Sequence, residues 1–284
     1  MSVAAVMRGQ AQQVRRLVPA RAVPWLVRRR VERLWSDPAY RAAIERQMRV
    51  LLERTERAPE IPDLARRYAE HSMARRYLRW HPRALTRQRV QGVEWLTTRR
   101  DPARGTVLNF LHHHHYEGMF ASLARVGVDM DILALADALA PGVPAELRQH
   151  MRLIGSGGHL IPTTEGSAAV KERLLQGRIV AIASDVPSRT VVEFLGRRVL
   201  GSSGAARLAV ATESPAVVVT PVREAGGGHY LQVHPPLEPS DFATPEELLA
   251  AMLRMHEVAV LAWPEALENP VSRWGQLDEA PAGS

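Results

Sequence analysis

"GTVLNFLHHHHYEGMFASLARVG", residues 105–127, decides how the rest of the chain is read. The apolar run that closes at Leu111 reads as a buried strand. "EGMFASLARVG" reads as a helix stopped by Gly127, and the four histidines fill the joint. An expression tag sits at a terminus, and a metal-storage tract has polar flanks. This run has neither setting. A strand running into a helix is the repeating unit of an α/β fold.

The same alternation continues on the C-terminal side. "MDILALA" (130–136), "RIVAIAS" (178–184) and "PAVVVTPV" (215–222) read as buried strands. Between and after them, "GSAAVKERLLQG" (166–177) reads as a helix with Ser167 as cap and Gly177 as stop, and "SGAARLAVATE" (203–213) as another. Gly226–Gly228 turn the chain into "HYLQVHPPL". "TPEELLAAMLRMHEVAVLAW" opens on a capping box, Thr244 to Glu247, with Pro245 at its first position. Strands separated by helices imply a mostly parallel sheet covered on both faces. The expected fold class is therefore α/β, a mostly parallel sheet flanked by helices.

On the N-terminal side, residues 1–98 read as a helical extension. One helix places Val27, Val31, Leu34 and Trp35 on one stripe. A second starts at Ser36 as cap with Pro38 in its first turn, and a third covers "DLARRYAEHSMARRYLRW". The division expected is an extension over 1–98, a core over 99–276 and a disordered tail over 277–284.

The net charge of +7 is unevenly spread. Residues 1–100 hold 23 arginines against 9 acidic residues, while residues 101–284 hold 14 basic against 21 acidic. A basic front on an acidic body suggests an anionic partner, either a membrane surface reached by the basic helices or an acyl carrier protein. Nucleic acid is not the expected partner. The chain has no cysteine, which excludes disulfides, thiolate metal sites and an acyl-cysteine intermediate. With no apolar run of about 18 residues and no secretory signal, the expected location is cytoplasmic, either free or peripheral on the inner face of the membrane.

In open α/β sheets, ligands bind at the carboxyl ends of the strands. His112 follows one such strand and Asp185 another, so both reach one rim if the strands are parallel. Consecutive histidines in an extended segment alternate sides, HExxH is missing, and the remaining histidines are scattered. No metal site is expected. His112 and Glu117 make a compact pair in which the carboxylate fixes the tautomer and the other ring nitrogen acts as general base. GxSxG, GxGxxG and Walker A patterns are all missing, so the chemistry expected needs no serine nucleophile. Glu165–Ser167 offers either an anion site or a plain helix cap. "GSGGH" (155–159) offers either a flexible gate or an ordinary loop.

From these residues the chain resembles the lipid A/phosphatidylinositol mannoside acyltransferase branch of the lysophospholipid acyltransferase superfamily, over about residues 89–274. Gly92, Glu94 and Leu96 match the approach to the box, and His112 and Glu117 match HX4E. Leu174 and Gly177, Asp185, Phe194 and Gly196, and Gly204, Ala206, Leu208 and Ala209 follow in the family's order. The resemblance implies that His112 is the base and Glu117 its partner, with Asp185 and Arg189 lining the pocket. Tyr116, Thr164 and Arg152 are further substrate-binding candidates. It implies transfer from acyl-CoA or an acyl carrier protein to a hydroxyl or amine of a lipid or glycolipid, with no bound cofactor. Two alternatives are a small specialised metabolite as acceptor and a catalytically silent lipid- or carrier-binding module. The box departs from the usual H-x-G-N-W-E: His114, His115 and Tyr116 replace Gly, Asn and Trp.

Overall fold

A computed structural model describes residue 15 and residues 17–276, so the tail expected over 277–284 lies outside the described residues. Three helices come first: α1 (Val23–Trp35), α2 (Pro38–Leu52) and α3 (Ile61–Leu78). Asp37, not Ser36, caps α2. Its carboxylate accepts the Ala39 N–H at 2.9 Å, while Ser36 closes α1. Val23, Val27 and Val31 of α1 pack against Ala69 and Tyr77 of α3. Leu64, Ala65 and Tyr68, on another face of α3, enter the main core. The third helix thus joins the outer helices to the body.

The body alternates as expected: β1 (Arg89–Gln91), β2 (Thr106–Phe110), α4 (Tyr116–Ala124), β3 (Met130–Ala134), α5 (Ala145–Gly155), β4 (His159–Pro162), α6 (Gly166–Leu175) and β5 (Ile179–Ala183). There follow β6 (Thr190–Phe194), β7 (Arg197–Gly201), α7 (Gly204–Ala211), β8 (Ala216–Arg223), β9 (His229–Val233), α8 (Pro245–Ala262) and β10 (Gly275–Gln276). The main sheet has the order β1-β9-β8-β2-β5-β3-β4. Every neighbouring pair is parallel except β8 and β9, which pair antiparallel. Both faces are covered. Val107, Val180, Ile182 and Val218 meet the layer of α2, α3, α7 and α8, and Leu108, Phe110, Ala181 and Val217 meet that of α4 and α5. Each strand supplies both faces by alternation, which is why the strands read as unbroken apolar runs.

The structure adds local detail to the sequence reading and changes part of it. β1 is the edge strand of the main sheet, so the sheet reaches back inside residues 1–98. Ser167 does not cap α6, which begins at Gly166 without a side-chain cap. After Asp185, β6 and β7 form a hairpin, unmarked in the sequence reading, that β10 joins in a second, three-stranded sheet. The glycines of "GSGGH" are not a gate. A Cβ on Gly157 would fall 2.0 Å from the Phe120 carbonyl carbon, and one on Gly158 2.4 Å from the Met130 oxygen. They let the turn after α5 lie directly on the backbone of α4 and β3.

Candidate active site

The parallel register of β2 and β5 places Phe110 opposite Ala183. His112 and Asp185 each lie two residues beyond that pair, so both emerge at the same rim. They meet there in two hydrogen bonds. The His112 backbone N–H donates to Asp185 Oδ2 at 2.9 Å, and the ring Nδ1 lies 2.7 Å from Oδ1. Burial alone would raise the Asp185 carboxyl. His112 and Arg273 outweigh it and hold the group at about 2. Burial pushes the His112 ring below its ordinary value against the pull of Asp185. A neutral imidazole that donates Nδ1–H to an ionised Asp185 carries its lone pair on Nε2.

The His112 ring lines a cavity of about 340 Å³, walled largely by apolar groups such as Phe110, Phe120, Ile132, Ala134 and Met151. Tyr116 stands edge-on to His112 with ring centroids 4.5 Å apart. A second cavity of about 540 Å³ shares Tyr116, Leu147, His150 and Arg273 with the first. Its wall is charged, with Arg75, Arg76 and Arg79 facing Glu146 and Glu268.

Glu117 does not hold His112. The second residue of α4 is directed away from the strand rim towards α3. There it is fully buried, accepts Arg79 Nε at 2.8 Å, and lies 3.9 Å from Arg75 Nε and 3.6 Å from His150 Nδ1. Burial opposes its ionisation, but His150, Arg75 and Arg79 hold the carboxyl well below the usual range. The other nitrogen of His150 lies 3.1 Å from the Tyr116 hydroxyl, so Glu117 is linked through His150 to the wall of the first cavity and through Arg75 and Arg79 to that of the second.

Of the other predicted site residues, Tyr116 and Asp185 are brought to His112. Arg189 and Thr164 are exposed and do not line either cavity. Neighbouring Thr163 does line the first. Arg152 is exposed beside a separate groove formed with Ala138–Val143 and Arg148. Three participants were not singled out from the sequence. His150 lies in α5, Arg273 near the C-terminal end, and Asn109 beneath the rim. Asn109 donates to Ile182 O and Ser184 Oγ and pairs with His256 of α8 at 3.0 Å. Asn109 interrupts an apolar strand, and a polar residue on a doubly covered strand is itself a sign of a buried network.

The four histidines are not extended. His113 Nε2 donates to the Trp263 carbonyl at 2.9 Å. His114 has φ of 50°, which turns the chain sharply and brings its ring within 3.9 Å of the His115 ring.

The sequence profile of the bacterial lipid A biosynthesis acyltransferases matches residues 65–267, most of the chain. The chain belongs to this family. The match reaches back into α3 and so takes in Arg75 and Arg79, which hold Glu117, as well as His112 and Asp185; Arg273 lies just beyond its end. Among solved structures, the chain is similar to the 1-acyl-sn-glycerophosphate (LPA) acyltransferase PlsC from Thermotoga maritima. Identity is 14%, the TM-score is 0.43, and the alignment covers 86% of this chain and 97% of that one. No curated protein matches this sequence. Like the family, the chain is an acyltransferase of the lipid A type. Among the described residues no helix is long and apolar enough to cross a membrane.

Proposed function

We propose that this acyltransferase moves an acyl group from a thioester, acyl-CoA or acyl carrier protein, to a hydroxyl or amine of a lipid or glycolipid, with His112 as general base and Asp185 in the partner role that the sequence suggested for Glu117. His112 Nε2 takes the proton from the acceptor as its oxygen or nitrogen attacks the thioester carbonyl. When the tetrahedral intermediate collapses, the C–S bond breaks and the imidazolium returns the proton to the leaving sulfur. Asp185 fixes the tautomer and stabilises the imidazolium. The apolar cavity beside His112 suits the acyl chain, and the arginine-lined cavity that joins it suits an anionic portion of donor or acceptor.

The observation that carries this reading is the double hydrogen bond from His112 to a buried, ionised Asp185 at the mouth of an apolar cavity. The test uses thiol release from acyl-CoA in the presence of a lysophospholipid or glycolipid acceptor. The protein has no cysteine, so a thiol reagent reports only the released product. His112→Ala and Asp185→Asn are each expected to lower turnover by about 10²-fold or more with the fold intact. Turnover unchanged in His112→Ala removes the assignment.

A further inference from the structure

Three histidines outside the acyl-transfer site converge on one point. His71 comes from α3, and His114 and His115 from the turn between β2 and α4. One ring nitrogen of each lies within 4.8 Å of the others. The His71 ring is 5.3 Å from that of His114 and 5.7 Å from that of His115. His114 is 3% exposed and His115 9% exposed. Yet His71 Nε2, both nitrogens of His114 and His115 Nδ1 are buried with no hydrogen-bond partner. Buried polar atoms in folded proteins are nearly always paired, so four orphaned nitrogens in one place call for an occupant.

We propose that His71, His114 and His115 form a binding site for a divalent metal of the zinc type, separate from His112 and Asp185. Imidazole nitrogen is a preferred ligand of Zn²⁺, which binds three protein ligands and leaves a fourth position for water or another group. Zinc–nitrogen bonds of about 2.0–2.1 Å in tetrahedral array put ligand nitrogens about 3.3 Å apart, so rotation of the three rings has to close gaps of up to about 1.5 Å. His229, at the start of β9, is at hand for the fourth position, its ring 4.3 Å from that of His114. Trp263 covers the His114 ring at 4.0 Å and shields the site from water. Of the charged groups that act on these rings, Arg75 opposes a cation. Glu117, with its Oε2 unpartnered, favours one. His114 and His115 stand where the family's usual box has glycine and asparagine, so the site is a property of this sequence. Its expected effect is structural: the metal ties the turn that carries His112 to α3. Consecutive histidines alternate sides only in an extended segment, and the positive φ of His114 breaks that alternation here.

The test uses the full chain without a histidine tag, stripped with a chelator and then loaded with Zn²⁺ or Co²⁺. After gel filtration the protein is expected to retain one metal per chain, and the cobalt form to show the visible absorption of a four-coordinate site. His71→Ala and His114→Ala are each expected to weaken binding by about 100-fold. His159→Ala, at an exposed histidine elsewhere, retains full uptake. Zinc should also raise the melting temperature of the parent protein and not that of the variants. Uptake far below one equivalent by the parent protein overturns the site, a measurement that needs no variant to fold. Equal uptake by the parent and both variants also overturns it, because the metal then sits elsewhere. Neither result bears on His112 as base, since that reading is tested by thiol release alone.

Discussion

Asp185 and Glu117 are both buried carboxylates, and they differ in what they hold. Asp185 closes two hydrogen bonds on His112, whereas Glu117 neutralises Arg79 and Arg75. Their replacement should separate accordingly. Glu117→Gln leaves two guanidinium groups in the interior without their counter-charge, and breaking a buried pair costs roughly 3–5 kcal/mol. Chemical denaturation of Glu117→Gln is expected to report a loss of that order, with turnover per folded molecule reduced far less than in Asp185→Asn. Equal loss of turnover in the two variants with unchanged stability would return Glu117 to the role its spacing suggested. Asp185 was readable from the sequence because strand ends in a parallel sheet share a rim. The partners of Glu117 were not, because Arg75 in α3 and Arg79 just after it lie some forty residues upstream and no local pattern records that contact.

At the scale of elements, the long periodic segments emerged with the expected type, since burial on one or two faces fixes the apolar period. Short and tightly joined elements did not. The β6–β7 hairpin turns at Leu195 and Gly196, both with positive φ, the pattern of a type I′ turn. Leucine is not a turn residue, so the sequence carried only half the signal. The approach of α5 to α4 is another case, because a glycine pair reads as a loop until the backbone opposite it is known. Gly157→Ala is expected to cost about 1–3 kcal/mol, read as a lowered denaturation midpoint, because the obstructing atoms belong to the Phe120–Ala121 backbone and not to a side chain that can move aside. Helix α1 supplies a third case. Its valine stripe is used up against α3, so the face left outward is Trp25, 62% exposed, with Arg28 and Arg29 beside it. We propose that this face, not the stripe, meets a membrane surface. Co-sedimentation with vesicles containing anionic phospholipid should fall about fivefold for each of Arg28→Gln and Arg29→Gln and weaken at high salt. Salt-independent binding, or none, would leave α1 as a packing helix only.

Across the whole molecule, the charge asymmetry of the sequence has an internal use. Arg15, Arg76 and Arg79 from the basic front reach Glu146, and Arg75 and Arg79 reach Glu268. Glu268 also binds Arg273 at 3.2 Å, so one carboxylate joins the N-terminal helices to the C-terminal segment. Burial works against its ionisation, but Arg75, Arg273 and Arg79 prevail and hold it at about 2. A carboxyl depressed on folding contributes stability that is fully present above its unfolded value near 4.3 and is lost as pH falls from there towards 2. Acid titration of unfolding free energy is therefore expected to show a decline as pH falls below the unfolded value of about 4.3, with Glu268 contributing to it. Glu268→Gln should flatten that part of the curve. A slope identical in the two proteins would mean that Glu268 titrates alike folded and unfolded.

The α/β class, the alternation of elements, the histidine at a strand end and its family all followed from the order of residues. Apolar periodicity, capping residues and motif spacing act over a few positions and leave local marks. Which carboxylate grips His112, which arginines hold Glu117, and where three histidines meet depended on how distant segments pack. The contacts of His112 with Asp185 and of Glu117 with its arginines join residues 38 to 73 positions apart. Their geometry is set by strand register and helix packing, through close contacts and burial that exist only once the chain has folded.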